Sequence, residues 1–237
     1  MFDAGGVATP VLLQQAAPVP SGDGAVPVVG ALVGVLPEGG LRRGAAVSVG
    51  EDAGLLLALA AQVGGAGGWC AAVGLPELGL LAAAGYGIAP ERLLLADAPG
   101  PHWAEVVAAL AGAVEVILLR PSGPVAPQLA ARLGAVLRRS GCVLLVAGPW
   151  PGAGLRLDVR SSRWVGLGDG HGLLAGRQAE VVAEGCGAAA RARTAWLWLP
   201  DEHGAVRAVE EESGTDVGEG PGGEPGDTAG RGRLTAV

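Results

Sequence analysis

Two glycines, Gly50 and Gly54, frame the chemistry this sequence has to answer for. An apolar run over 45–49 enters Gly50, and an Ala/Leu-rich run leaves Gly54. Strand, glycine turn and helix make the frame of a P-loop, whose backbone N–H groups cradle phosphate while a lysine supplies the counter-charge. The working pattern has four residues between its glycines, then Lys, then Ser or Thr. Here only Glu51, Asp52 and Ala53 separate Gly50 from Gly54, and Leu55 and Leu56 follow. Two carboxylates stand where a triphosphate would lie. The 237 residues contain no lysine at all, so none can be recruited from elsewhere. The turn therefore reads as a structural remnant of a phosphate-binding ancestor, and no cofactor is expected.

Other residues with chemical potential are sparse. Cys70, Cys142 and Cys186 have no metal-site spacing and are odd in number, which predicts reduced thiols. His102 reads as a first-turn helix residue and His171 as support for a turn, and no metal site is expected. No serine sits in a Gly-x-Ser-x-Gly elbow. Arg42-Arg43 and the surface pair Arg138 and Arg139 could touch nucleic acid or a partner, although solvated surface is the simpler reading. Trp150, held between Pro149 and Pro151 in a loop after a strand, is the candidate aromatic anchor for a partner. Trp196 and Trp198 share one face of a strand and are expected to pack in the core.

Charge is unevenly spread. Residues 201–237 carry nine acids against three arginines, whereas the first 200 carry fourteen against thirteen. A nearly neutral core with an acidic tail does not favour autonomous duplex binding, which depends on neutralising phosphates. Half the residues are hydrophobic, enough for one buried core. No uninterrupted apolar run suggests a membrane span, and no basic n-region suggests a secretory leader, so a cytoplasmic protein is expected.

The elements that must position these residues alternate. Strands are predicted at 45–49, 69–73, 93–96, 114–119 and 142–147. Helices are predicted at 54–63, near 76–85 behind Pro76, from Pro101, and at 126–139. Trp103, Val106, Val107 and Leu110 form one helical stripe. Residues 36–44 read as turn chemistry. Apolar strands spaced by short helices predict an α/β fold with a mostly parallel sheet and helices on both faces. After Pro151 the pattern becomes alternating, with a hairpin signal at Gly168-Asp169-Gly170 and further strands at 180–183 and 196–199. An antiparallel extension at the C-terminal end is predicted. The chain divides into an arm at 1–31, partly flexible, a core at 32–200, and an acidic, Gly-rich tail at 201–237 that is expected to be largely disordered.

Together these motifs resemble the RecA fold, and in particular the degenerate RecA-like proteins of the ImuA group. The resemblance rests on Gly39-Gly40-Leu41-Arg42-Arg43-Gly44, the Gly50–Gly54 turn, Trp69-Cys70-Ala71-Ala72-Val73-Gly74-Leu75-Pro76, and Trp103. It also rests on Trp150-Pro151-Gly152-Ala153, on Trp164-Val165-Gly166-Leu167-Gly168-Asp169-Gly170-His171-Gly172, and on the closing strands with Arg177 and Trp196-Leu197-Trp198-Leu199-Pro200. It implies a RecA-like P-loop NTPase fold whose ATP apparatus has been lost. Leu75 stands where the resemblance expects a catalytic carboxylate, and Arg120 where it expects a magnesium-shell Asp. The fifth strand ends in Ala147-Gly148 in place of a sensor amide.

The resemblance implies a non-catalytic adaptor in damage-induced translesion synthesis. Its expected partner is an ImuB-like Y-family protein and, through it, an error-prone polymerase and sliding clamp. Cytoplasmic residence, with nucleoid association during repair, follows from that role. A SulA-like division inhibitor acting on FtsZ and a residual ATP- or DNA-binding RecA-like protein are the rival expectations.

Overall fold

A computed structural model describes residues 24–166, 174–185 and 191–209. Gly168-Asp169-Gly170, His171, Cys186, the first 23 residues and the tail from residue 210 lie outside the described residues.

Among the described residues, nine strands form one mixed sheet. Its parallel part comprises β3 (Ala46–Val49), β4 (Cys70–Val73), β5 (Leu93–Ala96), β6 (Val116–Leu119) and β7 (Val143–Ala147). It continues through β8 (Leu155–Val165), which runs parallel to β3, into the antiparallel β9 (Gly176–Gly185), β10 (Arg193–Trp198) and β11 (Arg207–Ala208). The order across the sheet is β11-β10-β9-β8-β3-β7-β6-β4-β5. A separate two-stranded ribbon pairs β1 (Ala25–Pro27) with β2 (Gly40–Arg42), so part of the stretch expected to be turn is a strand.

Helices cover both faces of the parallel part, as the alternation predicted. One face packs under α1 (Gly30–Val33), α2 (Ala53–Gly65) and α3 (Leu80–Gly85), with Leu55, Leu59, Ile88, Leu118 and Leu145 in its core. The other packs under α4 (Trp103–Leu110) and α5 (Pro127–Ser140), with Val107, Leu133, Leu137, Ile117 and Leu144. Every residue of β4, β6 and β7 is buried, the signature of strands covered on two sides. Pro127 opens α5 where no N–H is needed, and Gly141 closes it in the left-handed region at φ 76°.

The helix expected from Pro76 starts later. Leu75 and Leu78 are buried and pin residues 75–78 in a turn, with the Leu78 amide donating to the Leu75 carbonyl at 3.0 Å. Gly79 is extended and serves as the cap residue of α3.

Candidate functional site

The glycine turn lies at the carboxyl end of β3 and opens α2. Asp52 is the N-cap: its Oδ1 accepts from the Leu55 amide at 2.9 Å, satisfying one of the donors that a helix start leaves free. Its other oxygen accepts from Arg177 Nη2 at 2.6 Å, and the same nitrogen donates to Ser162 Oγ at 3.1 Å. The Asp52 and Arg177 side chains are 17% and 16% exposed. Position 54 is closely surrounded, since a Cβ there would lie 2.7 Å from Tyr86 Oη. Burial, and then the Asp52 charge, push the Tyr86 hydroxyl pKa up, and Arg177 offsets part of that. The carboxylate of Asp52 thus takes the anion's place at the start of α2, and Arg177 supplies the cation.

An open hollow of about 330 Å³ adjoins this pair, lined by Gly50, Glu51, Asp158, Arg160, Ser161 and Ser162 among others. Two of its charged side chains, Asp158 and Arg160, are paired within the chain. Arg156 Nε donates to Asp158 at 2.5 Å, and Arg160 lies 3.5 Å from Glu180. Among the described residues, no group of three His, Cys, Asp or Glu is gathered to hold a metal.

The neighbouring strand ends carry no catalytic carboxylate at the two positions named from the sequence. Leu75 is 2% exposed and packs in the core beyond β4. Arg120 follows β6 and pairs with Glu77, so Glu77 faces this strand end. Glu115, just before β6, is 3.5 Å from Arg43. Ser48 Oγ donates to the Gly148 carbonyl at 2.7 Å, which ties the ends of β3 and β7.

The remaining candidates scatter. Trp150 is 7% exposed and meets Trp103 edge-on with ring centroids 6.4 Å apart, so the proposed exposed anchor is corrected to a core residue. Its ring closes the α4/α5 side of the core, where a loop tryptophan removes a large apolar area from water. Arg138 and Arg139 lie exposed in the last turn of α5, on the face of the sheet opposite α2. Cations there complement the helix C-terminus. Cys70 and Cys142 are buried thiols, and burial, then the Glu115 charge, lifts Cys70 to about 12.

Two exposed tryptophans emerge on the antiparallel extension. Trp164 is 55% exposed and Trp196 43%. Trp196 and Trp198 share a face of β10, but it is not the core face, since Leu197 between them is the fully buried residue. Trp198 instead packs over Gly176, where a Cβ would lie 3.0 Å from its ring. The pairing of Arg177 with Asp52 spans 125 residues of sequence, and no local spacing signals it.

Among the described residues, no helix is long and apolar enough to cross a membrane. The chain is 40% identical over 108 residues to Uncharacterized protein Rv3395c of Mycobacterium tuberculosis (strain ATCC 25618 / H37Rv). That alignment takes in 45% of this chain and 53% of the relative, so it spans about half of the relative's length. The family model described as the MT3502 N-terminal domain matches residues 34–152, from the end of α1 through the glycine turn to the loop after β7. That match covers half of the sequence, and the chain belongs to the MT3502 N-terminal domain family.

Proposed function

We propose that this protein is a non-catalytic, RecA-like adaptor in damage-induced translesion synthesis. It binds an ImuB-type Y-family partner and supports an error-prone polymerase and its sliding clamp on damaged DNA, in the cytoplasm and at the nucleoid. The observation that carries the non-catalytic part is the Asp52–Arg177 pair at 2.6 Å, which fills the phosphate position of the glycine turn with the chain's own charges. A triphosphate entering there would meet Glu51 and Asp52 without a lysine. Leu75 and the Arg120–Glu77 pair support the same reading at the adjoining strand ends.

The strand order supports the RecA-like part. Counted from β3 to β10 as one to eight, the sheet runs 3-2-4-5-1-6-7-8, with the seventh strand reversed. The first strand lies between the fifth and sixth, so the glycine turn sits centrally at the carboxyl edge. That arrangement agrees with a RecA-type core. Fold retention without the reacting groups favours a scaffold over an enzyme. Trp164 and Trp196 take over from Trp150 as the aromatic residues a partner can reach.

Affinity capture of the full chain from DNA-damaged cells tests the role. Recovery of a Y-family protein together with a polymerase is the expected result, and recovery of neither overturns it. Calorimetry with Mg-ATP tests the chemistry separately. No heat of binding is expected, and micromolar affinity would restore a nucleotide-dependent protein.

A further inference from the structure

The antiparallel extension overhangs the parallel sheet. β8 pairs with β3 only at Ser48↔Arg156 and Val49↔Leu157, so residues 158–165 of β8 run on without a parallel neighbour. Eight residues of straight strand would carry the ribbon roughly 25 Å beyond β3. Arg177 sits opposite Trp164, at the distal end of this overhang. Asp52, however, is only three positions past the end of β3. The two meet because the ribbon bends. A register shift between Val159 and Ser161 leaves Arg160 as an extra residue, and such bulges bend and twist a strand pair. The distal ribbon is thereby arched over the start of α2.

We propose that Asp52 and Arg177 form a positioning device that holds the β8–β9 ribbon over the glycine turn without nucleotide, fixing the direction in which Trp164 is presented. Asp52 contributes two bonds, one to the helix it caps and one to the ribbon it clasps. Ser162, on the same ribbon, shares the Arg177 nitrogen. A carboxylate built into the chain does the linking that a bound phosphate could do only transiently, so the platform stands assembled at all times. Side chains about five-sixths buried are little screened by solvent, which makes this pair a stronger link than the exposed pair Arg156–Asp158 nearby or Arg160–Glu180, whose arginine is exposed. The device goes beyond the adaptor reading and does not depend on it.

Hydrogen exchange on the full chain tests the device with Asp52→Asn, Arg177→Gln, the double variant and Arg177→Lys. Asparagine caps a helix about as well as aspartate, so Asp52→Asn removes the charge and keeps α2. In each single variant, amides of 161–165 and 176–180 should exchange about tenfold faster or more, while those of β6 and β7 keep their wild-type rates. The double variant should be no faster than either single, because both remove one shared interaction. Arg177→Lys should retain most of the protection. Unchanged ribbon exchange in both singles, equal acceleration in β6 and β7, or additive effects would each overturn the proposal. So would extra ribbon protection in the wild type on adding Mg-ATP, since that would make nucleotide the missing clasp.

Discussion

The central parallel strands and the strands β8 and β10 of the antiparallel extension bury their residues by different rules. In β4, β6 and β7 every side chain is buried, because helices lie on both faces. In β10 burial is partial and uneven, with only Leu197 fully buried, and β8 is largely exposed beyond Val159. The helices α4 and α5 cover only the parallel half on their side. Tryptophan shows the contrast best. Trp150, in a loop flanked by prolines, is core, whereas Trp164 and Trp196, within strands, are surface. Whether a tryptophan is buried depends here on which layer covers it, not on whether it sits in a loop or a strand.

The largest expected effect breaks the comparison if it fails. Trp150→Ala should cost about 3–5 kcal/mol in a denaturant titration, by loss of a large buried side chain against Trp103. Trp196→Ala should move the same midpoint by no more than about 0.5 kcal/mol. Equal losses would mean that the two tryptophans do not belong to different environments.

Backbone geometry at the two edges gives the next effect. Gly74 sits at φ 69°, and a Cβ there would collide with the Arg120 carbonyl oxygen. Gly74→Ala should therefore destabilise by about 1–3 kcal/mol. Gly67, also at positive φ but with nothing within 4 Å of an added Cβ, should lose less on the same substitution. A thermal melt of both variants separates strain plus collision from strain alone.

Alkaline pH probes the buried thiols of the parallel half. The Cys70 thiol is raised from 9.0 to about 12 in the fold, so above pH 9 the unfolded chain releases a proton that the folded chain keeps. Ionisation then favours the unfolded state. Stability from this group is level below pH 9 and falls as pH rises toward 12, by at most about 1.4 kcal/mol per pH unit. Burial, and then the Cys70 and Glu115 charges, shift Cys142 in the same direction. Denaturant midpoints at pH 8 and pH 10 measure the fall, and Cys70→Ala should shrink it.

The smallest stability effect sharpens the functional side of the contrast. Trp164→Ala should leave stability within about 0.5 kcal/mol of wild type, because the ring is already half in water. Capture of the partner protein should nonetheless weaken. Undiminished capture with Trp164→Ala and Trp196→Ala combined would remove the extension from the interface.

Much of the fold was legible because local pattern and tertiary role agree in the parallel half. The runs at 70–73, 116–119 and 143–147 are continuous and apolar, which two-sided burial requires. The late start of α3 escaped because Pro76 is a good first helical residue, yet the buried Leu75 and Leu78 hold that stretch as a turn. At the site, the lack of lysine and the presence of Leu75 and Arg120 at the strand ends could be read directly. The partners of Arg120 and Asp52 could not, since Glu77 and Arg177 approach them from other elements.

The sequence by itself determined the alternation of strands and helices, the change to an antiparallel pattern after Pro151, and the missing lysine of the glycine turn. These are properties of residue type and near spacing. Only the tertiary structure decided that Trp150 is buried, that Trp164 is exposed, and that Asp52 meets Arg177. Each of those depends on which distant element covers a given spot, and the last pair comes together from 125 residues apart.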